Sequence, residues 1–182
     1  MKTYIALLRG INVSGHKLIK MSDLKLLFEN CGFENVTTYI QSGNVVFSSS
    51  ILKKEEIKKC IEITIENTFN FDVTTLILDA EELIQAKENH PFLKNNPLET
   101  KAIYFIFLDD CPNSELINNL NTLNQETEFF KITDKVIYCF YPNGYGDSKW
   151  HNVFFEKKLK VSCTTRNYNT MLKLCELSER IG

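Results

Sequence analysis

Two hydrophobic periods alternate along this chain, and they do so in the same order twice. Tyr4 to Leu8 is a short apolar run without helical period, which predicts a buried strand. Leu24, Leu27, Phe28 and Cys31 then recur at helical spacing. Ser22 is the expected N-cap, Met21 and Leu26 stand at the positions of a hydrophobic staple, and Gly32 is the expected stop. Val36 to Ile40 and Val45 to Phe47 flank Gln41-Ser42-Gly43-Asn44 and predict a hairpin. A second helical face runs from Ile57 through Ile61 and Ile65 to Phe69, and Val73 to Leu78 completes the set as a strand. The order is βαββαβ, which is the order of a ferredoxin-like unit.

Asp79 and Glu82 have the spacing of a capping box and open a short helix to about Asn89. Asn89-His90-Pro91 through Asn95-Asn96-Pro97 is rich in proline and asparagine and reads as a linker. The order then repeats. Ala102 to Leu108 is a strand, and Asn113 caps a helix carrying Leu116, Ile117, Leu120 and Leu123. Glu128 to Ile132 and Val136 to Tyr141 form a hairpin. A Gly-rich loop, Pro142 to Asp147, leads to a helix with Trp150, Val153 and Phe154. Val161 to Thr164 is a strand, and a last helix carries Met171, Leu172 and Cys175. The expected fold is α+β, with tandem ferredoxin-like halves at 1–90 and 101–182 joined by a linker at 91–100.

Composition narrows function by exclusion. The 182 residues carry a formal net charge of −2, so the basic excess of a phosphate-tracking nucleic-acid protein is missing. No apolar run approaches the ~20 residues of a bilayer span. The amino-terminal apolar run stops at Arg9-Gly10, too early for a signal-peptide core. Six scattered cysteines lack C-x-x-C pairing and sit in or beside apolar patterns. Reduced, mostly buried thiols and a cytoplasmic setting are therefore expected. Histidines 16, 90 and 151 are far apart and have no metal spacing, so neither a metal nor a cofactor is expected.

Topology says which polar loops should meet. A hairpin after a parallel crossover returns to the end of the first strand, which places Arg9 and Asn12 beside Gln41 and Asn44. In the second half, the ends of the third and fourth strands share one edge. That places Gly144, Gly146, Ser148 and Lys149 near Thr165, Arg166 and Asn167. Both segments of this second pair are expected to open helices, whose free N–H groups favour anions. A structural reading competes at every position: glycines for turns, Ser148, Thr165 or Asn167 as N-caps, and Arg9 as partner of a nearby carboxylate. The segment from Gly144 to Lys149 lacks P-loop spacing, so triphosphate hydrolysis is not implied. His16, near Lys17 and Lys20, has the chemistry of a general base, but a lone histidine in an exposed loop is more often just solvated.

The same loops carry a family resemblance. Leu7-Leu8-Arg9-Gly10-Ile11-Asn12-Val13-Ser14-Gly15, Tyr39 through Phe47, and Thr164 through Thr170 resemble the signatures of a bacterial family known as domain of unknown function 1697. The stretch from Gly144 to Lys149 is similar to that family's Gly-rich segment. Ser14 stands where a second Gly is usual, and Trp150-His151 stand where Leu-Thr is commoner. The resemblance implies an α+β fold with ferredoxin-like parts and no established activity. Three functions remain in competition. They are binding or turnover of a small phosphorylated or carboxylated metabolite, single-stranded nucleic-acid binding on sheet aromatics, and a ligand-free protein-interaction module.

Overall fold

The computed structural model describes residues 1–93, 100–123 and 127–181. The elements run β1 (Lys2–Leu8), α1 (Met21–Asn30), β2 (Glu34–Tyr39), β3 (Asn44–Ser49), α2 (Lys54–Phe69), β4 (Thr75–Asp79) and α3 (Ala80–Glu88). They continue with β5 (Ile103–Leu108), α4 (Ser114–Asn121), β6 (Phe129–Ile132), β7 (Val136–Phe140), α5 (Asn152–Leu159), β8 (Cys163–Asn167) and α6 (Tyr168–Ile181). Two four-stranded sheets result, ordered β2-β3-β1-β4 and β6-β7-β5-β8, with every pairing antiparallel. The fold is α+β. The chain divides into two compact units, Met1–Ile84 with Lys173–Gly182, and Gln85–Leu172. Of the expected linker, residues 94–99 lie outside the described residues.

Strand alternation sets the core of the first unit. Tyr4, Ala6 and Leu8 point to the helix side. There they meet Leu24, Leu27 and Phe28 of α1 and Ile57, Ile61 and Ile65 of α2. The rings of Phe28, Phe33 and Phe47 close this layer, with Phe33 and Phe47 centroids 4.7 Å apart. Ile5, Leu7 and Val46 point the other way and are equally buried. A strand buried on both faces explains why β1 reads as an unbroken apolar run. In the second unit Ile106, Leu108, Cys139 and Tyr141 pack against Leu120, Phe155 and Leu159, while Phe105 and Phe107 are buried on the opposite face. Each fully buried Leu, Ile or Phe contributes about 1.5–3 kcal/mol to stability.

Several local signals form as the sequence predicts. Asp79 and Glu82 make the reciprocal capping box: Glu82 N–H donates to Asp79 Oδ1 at 3.0 Å, and Asp79 N–H donates to Glu82 Oε2 at 2.9 Å. Asn113 Oδ1 accepts from Glu115 N–H at 2.8 Å and caps α4. Gly32 follows α1 with φ +82°.

Other expectations are corrected. The N-cap of α1 is Lys20, whose carbonyl accepts the N–H groups of Asp23 and Leu24. The Ser22 hydroxyl instead donates to Asp23 Oδ1. Leu26 is exposed, so Met21 and Leu26 make no staple; with Lys20 as N-cap the staple positions fall on Ile19 and Leu24, both buried in one core cluster. Gly144 to Lys149 makes only a three-residue 3-10 turn, Tyr145–Asp147, and α5 begins three residues after Lys149 at Asn152. Ser148 is extended, and its hydroxyl accepts from Trp150 N–H at 3.0 Å, which holds the chain out of helical geometry there. Thr164 and Thr165 pair with Phe107 and Ile106 of β5, so the strand runs on to Asn167; α6 still opens directly after it, at Tyr168, with the Asn167 side chain accepting from Thr170 N–H. His90, expected in the linker, is fully buried.

Candidate functional site

The first polar cluster forms at the end of β1. Leu7 pairs with Asn44 across the sheet, and Leu8 N–H donates to the Gly43 carbonyl at 2.8 Å. The turn after β1 and the tip of the β2–β3 hairpin are thereby neighbours. Asn12 ties them together. Its Nδ2 donates to the carbonyls of Ile19 and Gln41, both at 2.9 Å, and its Oδ1 accepts from Ile19 N–H at 2.9 Å. Asn44 is fully buried, and its Nδ2 donates to the Tyr39 carbonyl and Ser42 Oγ. Asn12 and Asn44 are thus positioning residues whose amides hold backbone in place. Arg9 is half-buried at the strand end, where its N–H donates to the Thr74 carbonyl. Gln41 and Ser42 are exposed.

Asn12→Ala should therefore unfasten the loop and leave the fold intact. Three hydrogen bonds go, and a residue type that tolerates φ +55° is replaced by one that does not. We expect a loss of about 1–2 kcal/mol in denaturant unfolding, with an unchanged m-value.

Left-handed backbone concentrates in this cluster. Among the described residues, seven of the twelve with left-handed φ lie in these two loops: Gly10, Asn12, Ser14, Gly15, Lys17, Ile40 and Gly43. Ser14, Lys17 and above all the β-branched Ile40 (φ +46°) hold this conformation at a cost. From Arg9 to Lys20 the chain carries one arginine, two lysines and His16, and no carboxylate. Lys17 Nζ donates to the Asp72 carbonyl at 2.6 Å and lies 3.6 Å from its carboxylate, which is highly exposed. Helix α1 starts directly after Lys20, so its positive end belongs to the same cluster.

The second cluster is committed to internal contacts to a greater degree. Ser148 Oγ donates to Glu128 Oε2 at 3.1 Å. Thr165 Oγ1 donates to Asn152 Oδ1, and Asn152 N–H donates to the Tyr145 hydroxyl, which occupies the first donor of α5. Asn167 Oδ1 accepts from Thr170 N–H and opens α6. Arg166 is buried and donates to Thr164 Oγ1 and the Thr165 carbonyl, both at 2.8 Å; burial pushes its guanidinium down to about 10. Consecutive strand residues face opposite ways, so Arg166 points away from the sheet face that Thr165 shares with α5. Gly144 (φ +88°) and Gly146 sit in the turn, and Lys149 is exposed.

The sequence does not single out Val13, Ser14, Leu18 or Ile40. The density of small and polar residues from Gly10 to Gly15 is the available signal for Ser14. Nothing local marks Ile40. Among the described residues no group of three His, Cys, Asp or Glu side chains could hold a metal ion, and no helix is long and apolar enough to cross a membrane. Among the same residues none of the six cysteines forms a disulfide. Cys139, Cys163 and Cys175 are buried, Cys31 and Cys60 are half-buried, and Cys111 is exposed.

Fold and clusters define an α+β protein with two antiparallel four-stranded sheets and strained, polar loops at a sheet end. The chain belongs to the family described as "Protein of unknown function (DUF1697)", which matches residues 1–138. It is similar in fold to conserved bacterial protein SP0830 from Streptococcus pneumoniae, with a TM-score of 0.73 and 23% sequence identity over 97% of this chain and 98% of that one. No curated protein matches the chain.

Proposed function

We propose that this protein binds a small anionic metabolite, phosphorylated or carboxylated, at the loops joining β1 to α1 and β2 to β3. The observation that carries the reading is the coincidence of costly left-handed backbone at Ser14, Lys17 and Ile40 with a segment, Arg9 to Lys20, that is basic and holds no carboxylate of its own. Strain of this kind clusters at ligand and active sites, and the charge there favours an anion. The fold reading beneath it is ferredoxin-like for each unit. It is supported by the βαββαβ order and by the central places of β1 and β5 in their sheets. Asn12 and Asn44 position the loops, while Arg9, Lys17, Lys20 and Gln41 supply contacts. In the second cluster, Lys149 and the turn at Gly144 and Gly146 keep the exposure a ligand needs, whereas Ser148, Thr165, Arg166 and Asn167 hold structure.

The nucleic-acid reading depends on aromatics displayed for stacking. Phe105, Phe107, Tyr138 and Phe140 are buried, which weighs against it.

The test is a thermal-shift panel of phosphorylated and carboxylated metabolites on three proteins: wild type, the double variant Lys17→Ala/Lys20→Ala, and Lys149→Ala. The best anion should stabilise wild type. The double variant should bind it about tenfold or more weakly, the worth of one charge-assisted contact. If no anion stabilises wild type, or the double variant responds as wild type does, the reading is wrong. A loss confined to Lys149→Ala moves the site to the second unit.

A further inference from the structure

The same cluster holds an unusual set of exposed apolar side chains. Val13, Leu18 and Ile40 are 57%, 65% and 48% exposed. They come from two separate loops, yet each adjoins the Asn12 hub. Val13 follows Asn12 in sequence. Leu18 precedes Ile19, whose N–H and carbonyl both bond to the Asn12 amide, and Ile40 precedes Gln41, whose carbonyl takes the other Asn12 proton. A backbone bridge between Val13 and His16 fixes the loop between them. Single exposed hydrophobics are ordinary, but here three stand next to backbone that is tied to one polar hub, which places exposed apolar surface beside the basic segment.

Ile40 sharpens the point. A β-branched residue at φ +46° is a conformational outlier, and asparagine or glycine would occupy the position with less strain. Packing does not offset this, because the side chain is about half exposed. The isoleucine is therefore held in a costly conformation and shown to solvent. The neighbouring charges, Arg9, His16, Lys17 and Lys20, are basic, with Asp72 beside Lys17 as the opposing carboxylate.

We infer that the ligand of this site is amphiphilic: a small molecule whose phosphate or carboxylate meets the basic segment while an attached alkyl or aryl group covers Val13, Leu18 and Ile40. The inference rests on the anion-binding reading above and names the class of anion. Apolar area removed from water adds affinity to a charge contact and selects against small hydrophilic anions. Because this apolar surface is a few side chains wide, a short chain or a single ring is the size that fits.

Calorimetric titration with inorganic phosphate and with hexyl phosphate separates the two claims. Hexyl phosphate should bind wild type about tenfold or more tightly than inorganic phosphate. The variant Val13→Ser/Leu18→Ser/Ile40→Asn should narrow that preference to about twofold. Ile40→Asn alone should narrow it partly while keeping or raising the melting temperature, because asparagine suits left-handed backbone. Equal affinities for the two phosphates, or a hexyl preference that survives the triple substitution, overturn the inference and leave anion binding standing. Hexanoate and acetate, titrated alongside, extend the comparison to carboxylates, and failure of all four anions to bind overturns both claims. Binding to phosphatidylglycerol vesicles without binding to soluble hexyl phosphate also overturns the inference and makes the apolar surface a membrane contact.

Discussion

Gly43→Ala is expected to destabilise the protein by about 2–5 kcal/mol, summing left-handed strain and a close contact. The glycine lies at φ +77°, which an L side chain adopts only with strain. An added methyl would also fall 2.7 Å from Leu8 Cβ and 2.9 Å from Ile11 Cδ1. Leu8 Cβ is fixed to the central strand and cannot swing aside, and the 2.8 Å bond from Leu8 N–H to the Gly43 carbonyl holds the two backbones at that distance. Gly15→Ala is the control. Its φ is +78°, but no atom lies within 4 Å of the added methyl, so only the strain of about 1–2 kcal/mol applies. Urea unfolding of both variants measures the difference. Equal losses would show that the close approach of the hairpin to β1 is not what demands glycine at position 43.

The second large effect is acid lability centred on His90. Its imidazole is fully buried among the rings of Phe92, Phe105 and Tyr138, with centroids 4.8 to 5.8 Å away. Nε2 lies 3.3 Å from the Tyr104 carbonyl, which makes it the protonated nitrogen of the neutral ring. Nδ1 has no hydrogen-bond partner among the described residues, so a second proton there would be buried and unsatisfied. Burial pushes the imidazole down to about 4, against the opposing influence of the Tyr104 and Cys139 backbone. Below the ordinary value of 6.5 the unfolded chain takes up a proton that the folded chain refuses, so stability falls as pH drops from 6.5 toward 4. The loss over that window is about 3 kcal/mol, at 1.36 kcal/mol per unit of pKa. His90→Phe keeps a ring in the aromatic cage and removes the titration. Its unfolding free energy should be nearly flat where wild type declines. If wild type and variant show the same slope between pH 6.5 and 4, His90 is not the group that titrates.

His90 also marks the limit of what local sequence conveys. Asn89-His90-Pro91 has the composition of a linker, yet the imidazole is sealed among residues of β5 and β7 far along the chain. Burial is a property of non-local packing, and a single polar residue carries no period by which to announce it. Leu26 is a similar case: it stands at staple spacing from Met21, but the helix is capped two residues earlier, at Lys20, which gives the staple positions to Ile19 and Leu24. Arg166 looked like a ligand cation beside Lys149. Strand alternation, invisible until the register with β5 is known, turns it away from the α5 side of the sheet.

Other features need only a few adjacent residues and were legible. The capping box of Asp79 and Glu82 and the Asn113 cap satisfy backbone donors within three residues, so spacing alone specifies them. Alternating hydrophobic periods determined the element order, and that order brought the Arg9–Asn12 loop to the Gln41–Asn44 tip. Tertiary structure alone decided what those loops present. Asn12 spends its amide on backbone, and Val13, Leu18 and Ile40 are left in water around it. The physical reason is that pattern and capping act between neighbours in sequence, whereas exposure, side-chain direction and the strain at Ile40 follow from how distant segments are held together.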